Sequence, residues 1–316
     1  MPMPTLSHDE KYMSRCLQLA LNGLHDARPN PMVGAVIVSS EADGSRILGE
    51  GWHRRYGEAH AEVNAFAAVS EADEALLPDS TIYVSLEPCS HWGKTPPCVD
   101  LIIKKGVRRV VVGCLDSYEK VAGRGIDRLR QAGIEVVDGV LDIECLWLNH
   151  RFFTFHNKHR PYIILKWAQS SNGYIDDCGK PYLFSNERTL RLSHRLRAEE
   201  DAIVVGHTTW LRDQPQLTVR HWWGHNPVRF VLEGNMTIDA VLRECMAGQL
   251  QSLIVEGGAK THQSFLDAGL WDIMFVETSP VVLLGGTRAA QIPKQAKRVA
   301  TQYYDENRLD TWVNVT

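Results

Sequence analysis

The chain has 316 residues, long for one core and suited to two domains of roughly 100–200 residues each. Hydrophobic residues make up 44% and charged residues 23%, with a formal net charge of −4. That is an ordinary globular composition, and it speaks against a whole-chain basic surface for nucleic acid. No apolar run approaches the roughly 20 residues that a membrane helix needs.

Along the chain, the segment Met1 to Lys11 has no basic stretch followed by an apolar core, so no secretory signal is expected. Residues 10–24 read as a helix, 34–38 as a short apolar strand and 59–69 as an Ala-rich helix. Residues 81–86 alternate and read as a strand, 98–105 as a helix, 107–113 as a buried strand, 125–132 as a helix and 134–137 as a short strand. Strands alternating with helices predict an α/β layered domain over 1–148. Residues 149–160 mix aromatic, His and basic residues without a clear period and mark a boundary.

A second αβ series, 161–316, follows. It has strands at 162–167, 202–205, 228–232, 252–255, 274–276 and 281–284, and helices at 186–199, 238–246 and 261–268. Seven scattered cysteines, Cys16, Cys89, Cys98, Cys114, Cys145, Cys178 and Cys245, are odd in number. They argue against a disulfide framework and for a reducing, cytoplasmic setting. A homo-oligomer without nucleic-acid or membrane partners is expected.

The sharpest signal is His60-Ala61-Glu62 followed by Glu87-Pro88-Cys89 and Pro97-Cys98. One imidazole and two thiolates make a three-ligand zinc set, which leaves the fourth position for water. In the zinc deaminase signature the Glu is general acid/base and not a ligand. Glu62 fits that role, taking a proton from water and passing it to the leaving amine. A structural zinc site is the competing reading, and it would normally show a fourth Cys or His nearby. His91 lies between the cysteines and is open to either use. The insert from Ser90 to Pro97 carries His91, Lys94 and Thr95. It suits a phosphorylated or polar substrate better than the bare base of a nucleoside or tRNA deaminase.

The run from Glu87 to Cys98 closely resembles the deaminase signature of the bifunctional riboflavin biosynthesis deaminase–reductase family. Pro29-Asn30-Pro31-Met32-Val33-Gly34, His60-Ala61-Glu62-Val63 and Val121-Ala122-Gly123-Arg124-Gly125 match it further. The resemblance spans nearly the whole chain. It implies a cytidine-deaminase-like α/β/α domain followed by a dihydrofolate-reductase-like α/β domain. It also implies deamination of 2,5-diamino-6-(5-phosphoribosylamino)pyrimidin-4-one to the corresponding uracil. On this resemblance His60, Cys89 and Cys98 bind Zn2+, Glu62 shuttles protons, and Asn30, His91 and Lys94 contact substrate.

Leu165-Lys166-Trp167-Ala168-Gln169-Ser170, the segment Leu211 to Arg220, Val255-Glu256-Gly257-Gly258 and Leu284-Gly285-Gly286-Thr287 are similar to the family's reductase domain. That domain reduces the ribosyl group to ribityl with NADPH. By the same resemblance Ala168, Thr209, Asp213 and Gly258 to Ser264 touch NADPH, and Arg197, Leu217, Arg220 and Glu256 touch substrate. Taken alone, Arg197 and Arg220 read as solvated charges and a two-glycine turn as an ordinary turn. Several positions depart from the family pattern. Asn172 stands in the Ser-x-Asp-Gly turn, Gln214 at the second acid of the Asp-Asp-Pro loop, and Leu183 near an expected Trp. The stretch between Leu232 and Ser252 is short by a strand and loop. A reductase half weaker than the deaminase half is expected.

Overall fold

The computed structural model describes residues 6–92, 96–116 and 123–315. The chain divides into two compact units, Met1–Asn157 and Lys158–Thr316.

In the first unit α1 (His8–Ala20) starts at a capping box. Ser7 Oγ accepts the Glu10 N–H, and the Glu10 carboxylate accepts the Ser7 N–H. Then follow β1 (Gly34–Val38), β2 (Ile47–Trp52), α2 (Ala61–Ala67), β3 (Thr81–Leu86), α3 (Cys98–Lys105), β4 (Arg109–Cys114), α4 (Arg124–Gln131), β5 (Glu135–Val137), α5 (Asp142–Leu148) and α6 (His150–Lys158). The strands form one sheet in the order β2-β1-β3-β4-β5, with β3, β4 and β5 parallel and β1 antiparallel to both its neighbours. Alternate side chains leave opposite faces of a strand. Ala35, Ile37, Val110 and Val112 accordingly join one core with α2, α3 and α4, whereas Val36, Val38 and Val111 join another with α1 and α5. The result is three layers.

Two glycines decide where α2 lies. A Cβ on Gly49 would stand 2.3 Å from the Ala65 carbonyl oxygen, and one on Gly51 2.4 Å from the Ala61 carbonyl oxygen. Only glycine lets the helix backbone rest directly on β2, and that contact sets the position of His60 and Glu62 at its start.

The second unit contains β6 (Tyr162–Gln169), α7 (Glu187–Glu199), β7 (Ala202–Gly206), α8 (His207–Asp213), β8 (Val228–Leu232), α9 (Ile238–Ala247), β9 (Ser252–Val255), α10 (Ala259–Asp267), β10 (Ile273–Thr278), β11 (Lys297–Tyr304) and β12 (Asn307–Val313). Its sheet runs β11-β12-β10-β6-β9-β7-β8, parallel from β10 to β8 and closed at the other edge by the antiparallel β11/β12 hairpin. The inner strands are covered on both faces, which explains their unbroken apolar runs.

Several expectations need correction. Residues 149–160 are not aperiodic chain: α6 forms there, with Phe153 in the core of the first unit. The expected strand at 281–284 is instead extended chain laid against the Ser170–Gly173 turn, where the Ser171 amide donates to the Val281 carbonyl at 2.8 Å. The β series does not close there but continues through β11 and β12. The first helix ends at Ala20, with one tighter turn, Leu21–Gly23, after it. No helix among the described residues is long and apolar enough to cross a membrane.

Candidate functional site

His60 is the residue before the first turn of α2, and Glu62 lies within that turn. Cys89 follows β3, and Cys98 opens α3 after Pro97. The ligand atoms of His60, Cys89 and Cys98 all lie within 4.8 Å of one another. His60 Nδ1 is 3.3 Å from Cys98 Sγ and 3.6 Å from Cys89 Sγ, and the Cys98 amide donates to Cys89 Sγ at 3.2 Å. Hydrogen bonds from Cys98 and His60 hold the Cys89 thiol below its usual range, while the Cys89 neighbour and burial push Cys98 up. Two sulfurs and one imidazole nitrogen so close together match the donors and spacing that tetrahedral zinc requires, with one position left open. The Glu62 side chain is buried, and burial first, then the charge of Cys89, raises its pKa.

Two residues to which the sequence assigned no role brace this centre. Buried His53 donates from Nδ1 to the Ala59 carbonyl at 3.1 Å; since a carbonyl only accepts, Nε2 is left to accept from Asn30 Nδ2 at 3.0 Å. The amide orientation of Asn30 is thereby set beside the first residue of the metal motif. The Glu87 carboxylate accepts the amides of Gly125 at 2.8 Å, Gly123 at 2.9 Å and Asp116 at 3.3 Å. The glycines of the Gly123-Arg124-Gly125 motif thus have a purpose. Gly123 takes a φ of +80°, and a Cβ on Gly125 would stand 2.4 Å from the Pro88 carbonyl oxygen. Glu87 is visible in the sequence only as part of the Glu87-Pro88-Cys89 motif, and a lone His carries no spacing signal, so neither partner could be read from it. His91 is exposed, and Lys94 lies outside the described residues, as do Val121 and Ala122.

In the second unit Arg197 on α7 and Glu256 after β9 form a buried two-point ion pair at 2.6 and 3.0 Å, and Arg197 also donates to the Thr218 carbonyl. Neither is a solvated surface charge. Arg220 is more exposed; its side chain donates to Gln216 and Thr218, and its amide donates to His194 Nδ1. The Leu217 side chain is buried in the core at a φ of +52°, a strain of about 1–3 kcal/mol. Gly258 precedes α10, and a Cβ there would stand 3.1 Å from Thr209 Oγ1, so these two expected cofactor contacts do meet. Ala168 lies near the end of β6, whereas exposed Ser264 sits within α10 with its hydroxyl turned to the Lys260 carbonyl. Both oxygens of Asp213 are held by Arg212, which also reaches the buried Asp176. Asn172 replaces an acid without loss of order: its Oδ1 accepts the Leu283 amide and its Nδ2 donates to the Leu283 carbonyl.

Residues 6–114 match the family model described as the cytidine and deoxycytidylate deaminase zinc-binding region, and residues 161–237 and 232–308 match the RibD C-terminal domain. The riboflavin biosynthesis protein RibD of Aquifex aeolicus is 34% identical over 320 residues, covering 87% of this chain and 88% of that protein. The chain belongs to the RibD family of riboflavin biosynthesis proteins. RibD of Escherichia coli is 44% identical over 213 residues, covering 67% of this chain and 56% of that one. A solved Thermotoga maritima diaminohydroxyphosphoribosylaminopyrimidine deaminase/5-amino-6-(5-phosphoribosylamino)uracil reductase superposes with a TM-score of 0.88 at 32% identity, covering 97% of this chain and 98% of that one. Like other RibD proteins, the chain is an enzyme with a deaminase domain and a reductase domain, and both expected fold classes hold.

Proposed function

We propose that the first domain deaminates 2,5-diamino-6-(5-phosphoribosylamino)pyrimidin-4-one to the corresponding uracil, and that the second reduces the ribosyl group of that product to ribityl. The convergence of His60, Cys89 and Cys98 beside the buried carboxyl of Glu62 carries this reading. His60, Cys89 and Cys98 would hold a zinc ion, which when bound would acidify a water to a pKa of about 7. Glu62 takes the proton of the water whose oxygen adds to the ring carbon, and returns it to the departing amine, so that ammonia leaves as the C–N bond breaks. Burial raises its pKa, the direction that favours a group that both accepts and gives a proton. Asn30, oriented through His53, and His91 and Lys94 are assigned to the substrate.

In the second domain the Arg197–Glu256 pair, Leu217 and Arg220 are assigned to the phosphoribosyl substrate, and Ala168, Thr209, Asp213, Gly258 and Ser264 to a reduced nicotinamide dinucleotide, which the resemblance gives as NADPH. The three glycines 206, 257 and 258 fit a backbone-lined cradle: a Cβ on any of them would come within 2.3–3.1 Å of a side chain. The bound cofactor supplies the hydride. A shortened domain is supported at one place. The family model matches in two pieces that meet at 232–237, where α9 begins only six residues after β8 ends. We assign it a slower reaction than the deaminase. The expected assembly is a cytoplasmic homo-oligomer, which size-exclusion chromatography and cell fractionation test. The function is tested by incubating purified protein with the diaminopyrimidine, with and without reduced nicotinamide cofactor, and identifying the products. Unchanged substrate and no ammonia refute the assignment.

A further inference from the structure

Between the end of α8 at Asp213 and the start of β8 at Val228 the chain forms neither helix nor strand. This stretch carries Leu217 and Arg220, two of the residues assigned to the phosphoribosyl substrate. Its backbone is left-handed at Gln214, with a φ of +41°, and at Leu217, with a φ of +52°. Backbone polar groups in such a loop have no ladder partners and must find others. A strained residue persists only where its surroundings over-determine it. Side chains meet both needs here. Arg229 donates to the Gln216 carbonyl at 3.4 Å and Arg197 to the Thr218 carbonyl at 3.3 Å. Asn226 Oδ1 accepts the Val219 amide at 2.7 Å, and His194 Nδ1 accepts the Arg220 amide at 3.0 Å.

His194 and Arg197 both stand on α7, three residues apart and so on one side of that helix. They differ in what they leave for a ligand. Arg197 is neutralised by Glu256. Arg220, which His194 holds by its backbone, is exposed, and among the described residues its guanidinium meets only the neutral oxygens of Gln216 and Thr218. Its charge is open to an anion, and a guanidinium fork suits a phosphate. His194 itself is fully buried. Because Nδ1 accepts, the neutral ring carries its proton on Nε2, and that Nε2–H has no partner among the described residues. Burial, then the charges of Arg197 and Arg220, push the pKa of His194 down to about 4, so that near neutrality Nδ1 stays an acceptor. An apolar side chain of the same shape would avoid the unpartnered buried donor. Such a side chain would also leave the Arg220 amide without its acceptor.

We propose that His194 is a positioning residue for the reductase reaction: its imidazole fixes the Arg220 backbone so that the guanidinium is presented to the phosphate of the phosphoribosyl substrate. The role rests on the assignment of Arg220 to that substrate. His194 touches neither substrate nor cofactor in it, and acts through Arg220.

The test is steady-state reduction of the deaminated pyrimidine by the full chain at saturating NADPH, in a double-mutant cycle of His194→Ala and Arg220→Ala. His194→Ala should raise KM about tenfold, the effect of one lost hydrogen bond in a binding loop, and change kcat less. On the same pyrimidine with its phosphate removed, His194→Ala should change kcat/KM little. Arg220→Ala should raise KM as well, and the double variant should be no worse than Arg220→Ala alone, because the two residues act as one. His194→Asn should restore most of the KM, since its amide oxygen takes the place of Nδ1. His194→Gln should not, since its amide reaches the place of Nε2. This pair also decides the matter should His194→Ala fold poorly. Thermal melts and ammonia release by the first domain serve as controls for folding. Additive losses in the cycle, an equal loss on the substrate without phosphate, or Gln rescuing as well as Asn would each overturn the proposal and leave the reductase assignment standing. A wild-type protein that neither binds nor reduces the deaminated pyrimidine would overturn both.

Discussion

Gly51 and Ala61 touch backbone to backbone: a Cβ on Gly51 would lie 2.4 Å from the Ala61 carbonyl oxygen and 2.3 Å from the Ala65 amide nitrogen. The helix that begins with the metal motif is seated on this strand without a side chain between them. Gly51→Ala is therefore expected to cost about 1–3 kcal/mol, because a rigid backbone cannot yield as a long side chain would. The displaced α2 should also lose zinc affinity. Thermal melts and competition with a chromophoric chelator measure both. A variant with wild-type melting and wild-type zinc affinity would contradict the seating.

Cys89→Ala should remove both bound zinc and ammonia release, because two remaining ligands do not make a catalytic zinc site. Metal analysis of the wild type should find one zinc per chain. If none is found, and added zinc restores no activity, the metal assignment fails.

Glu62→Gln should retain zinc and lose deamination by about 10²–10⁴-fold, the usual yield of a positioned general acid/base. Loss of metal in this variant would make Glu62 a ligand. Near-normal turnover would remove it from the mechanism.

Arg197→Ala leaves Glu256 buried without its partner, an expected loss of about 3–5 kcal/mol in the second domain. The double substitution Arg197→Ala with Glu256→Ala should recover part of it, since no uncompensated charge remains. Urea unfolding monitored for all four proteins gives the coupling energy. Additive losses would show that the two side chains do not act as a pair.

The Asp9 carboxylate ties α1 to β4 through two hydrogen bonds from Arg109, both 2.8 Å, and takes a third from the Tyr83 hydroxyl. The Arg109 bonds hold its pKa below the usual carboxylate range despite burial. A depressed carboxylate stabilises the fold above its unfolded pKa of about 3.9, and the contribution fades as pH falls through the folded value. Asp9→Asn should therefore destabilise by about 1–2 kcal/mol at neutral pH and by much less in strong acid. The same loss at both pH values would exclude the ion pair as its source.

The alternation of strands and helices was legible where β-branched runs are buried on both faces, as in β1, β3, β7 and β9. It was not legible at β2, whose Gly49 and Gly51 weaken a strand signal for the sake of the helix above. Nor was it legible at β11, an exposed and largely polar edge strand that exists because β12 pairs with it. The candidate zinc ligands and Glu62 could be proposed from the sequence because a metal demands particular atoms, and particular residue types at short spacings betray that demand. Tertiary structure alone decided the partners. Glu87 meets amides up to 38 residues away, Arg197 meets Glu256 across 59, and Arg212 meets Asp176 across 36. A single charged or polar side chain looks the same in sequence whether it is solvated or buried. Only the packing that removes its water fixes which partner it must find.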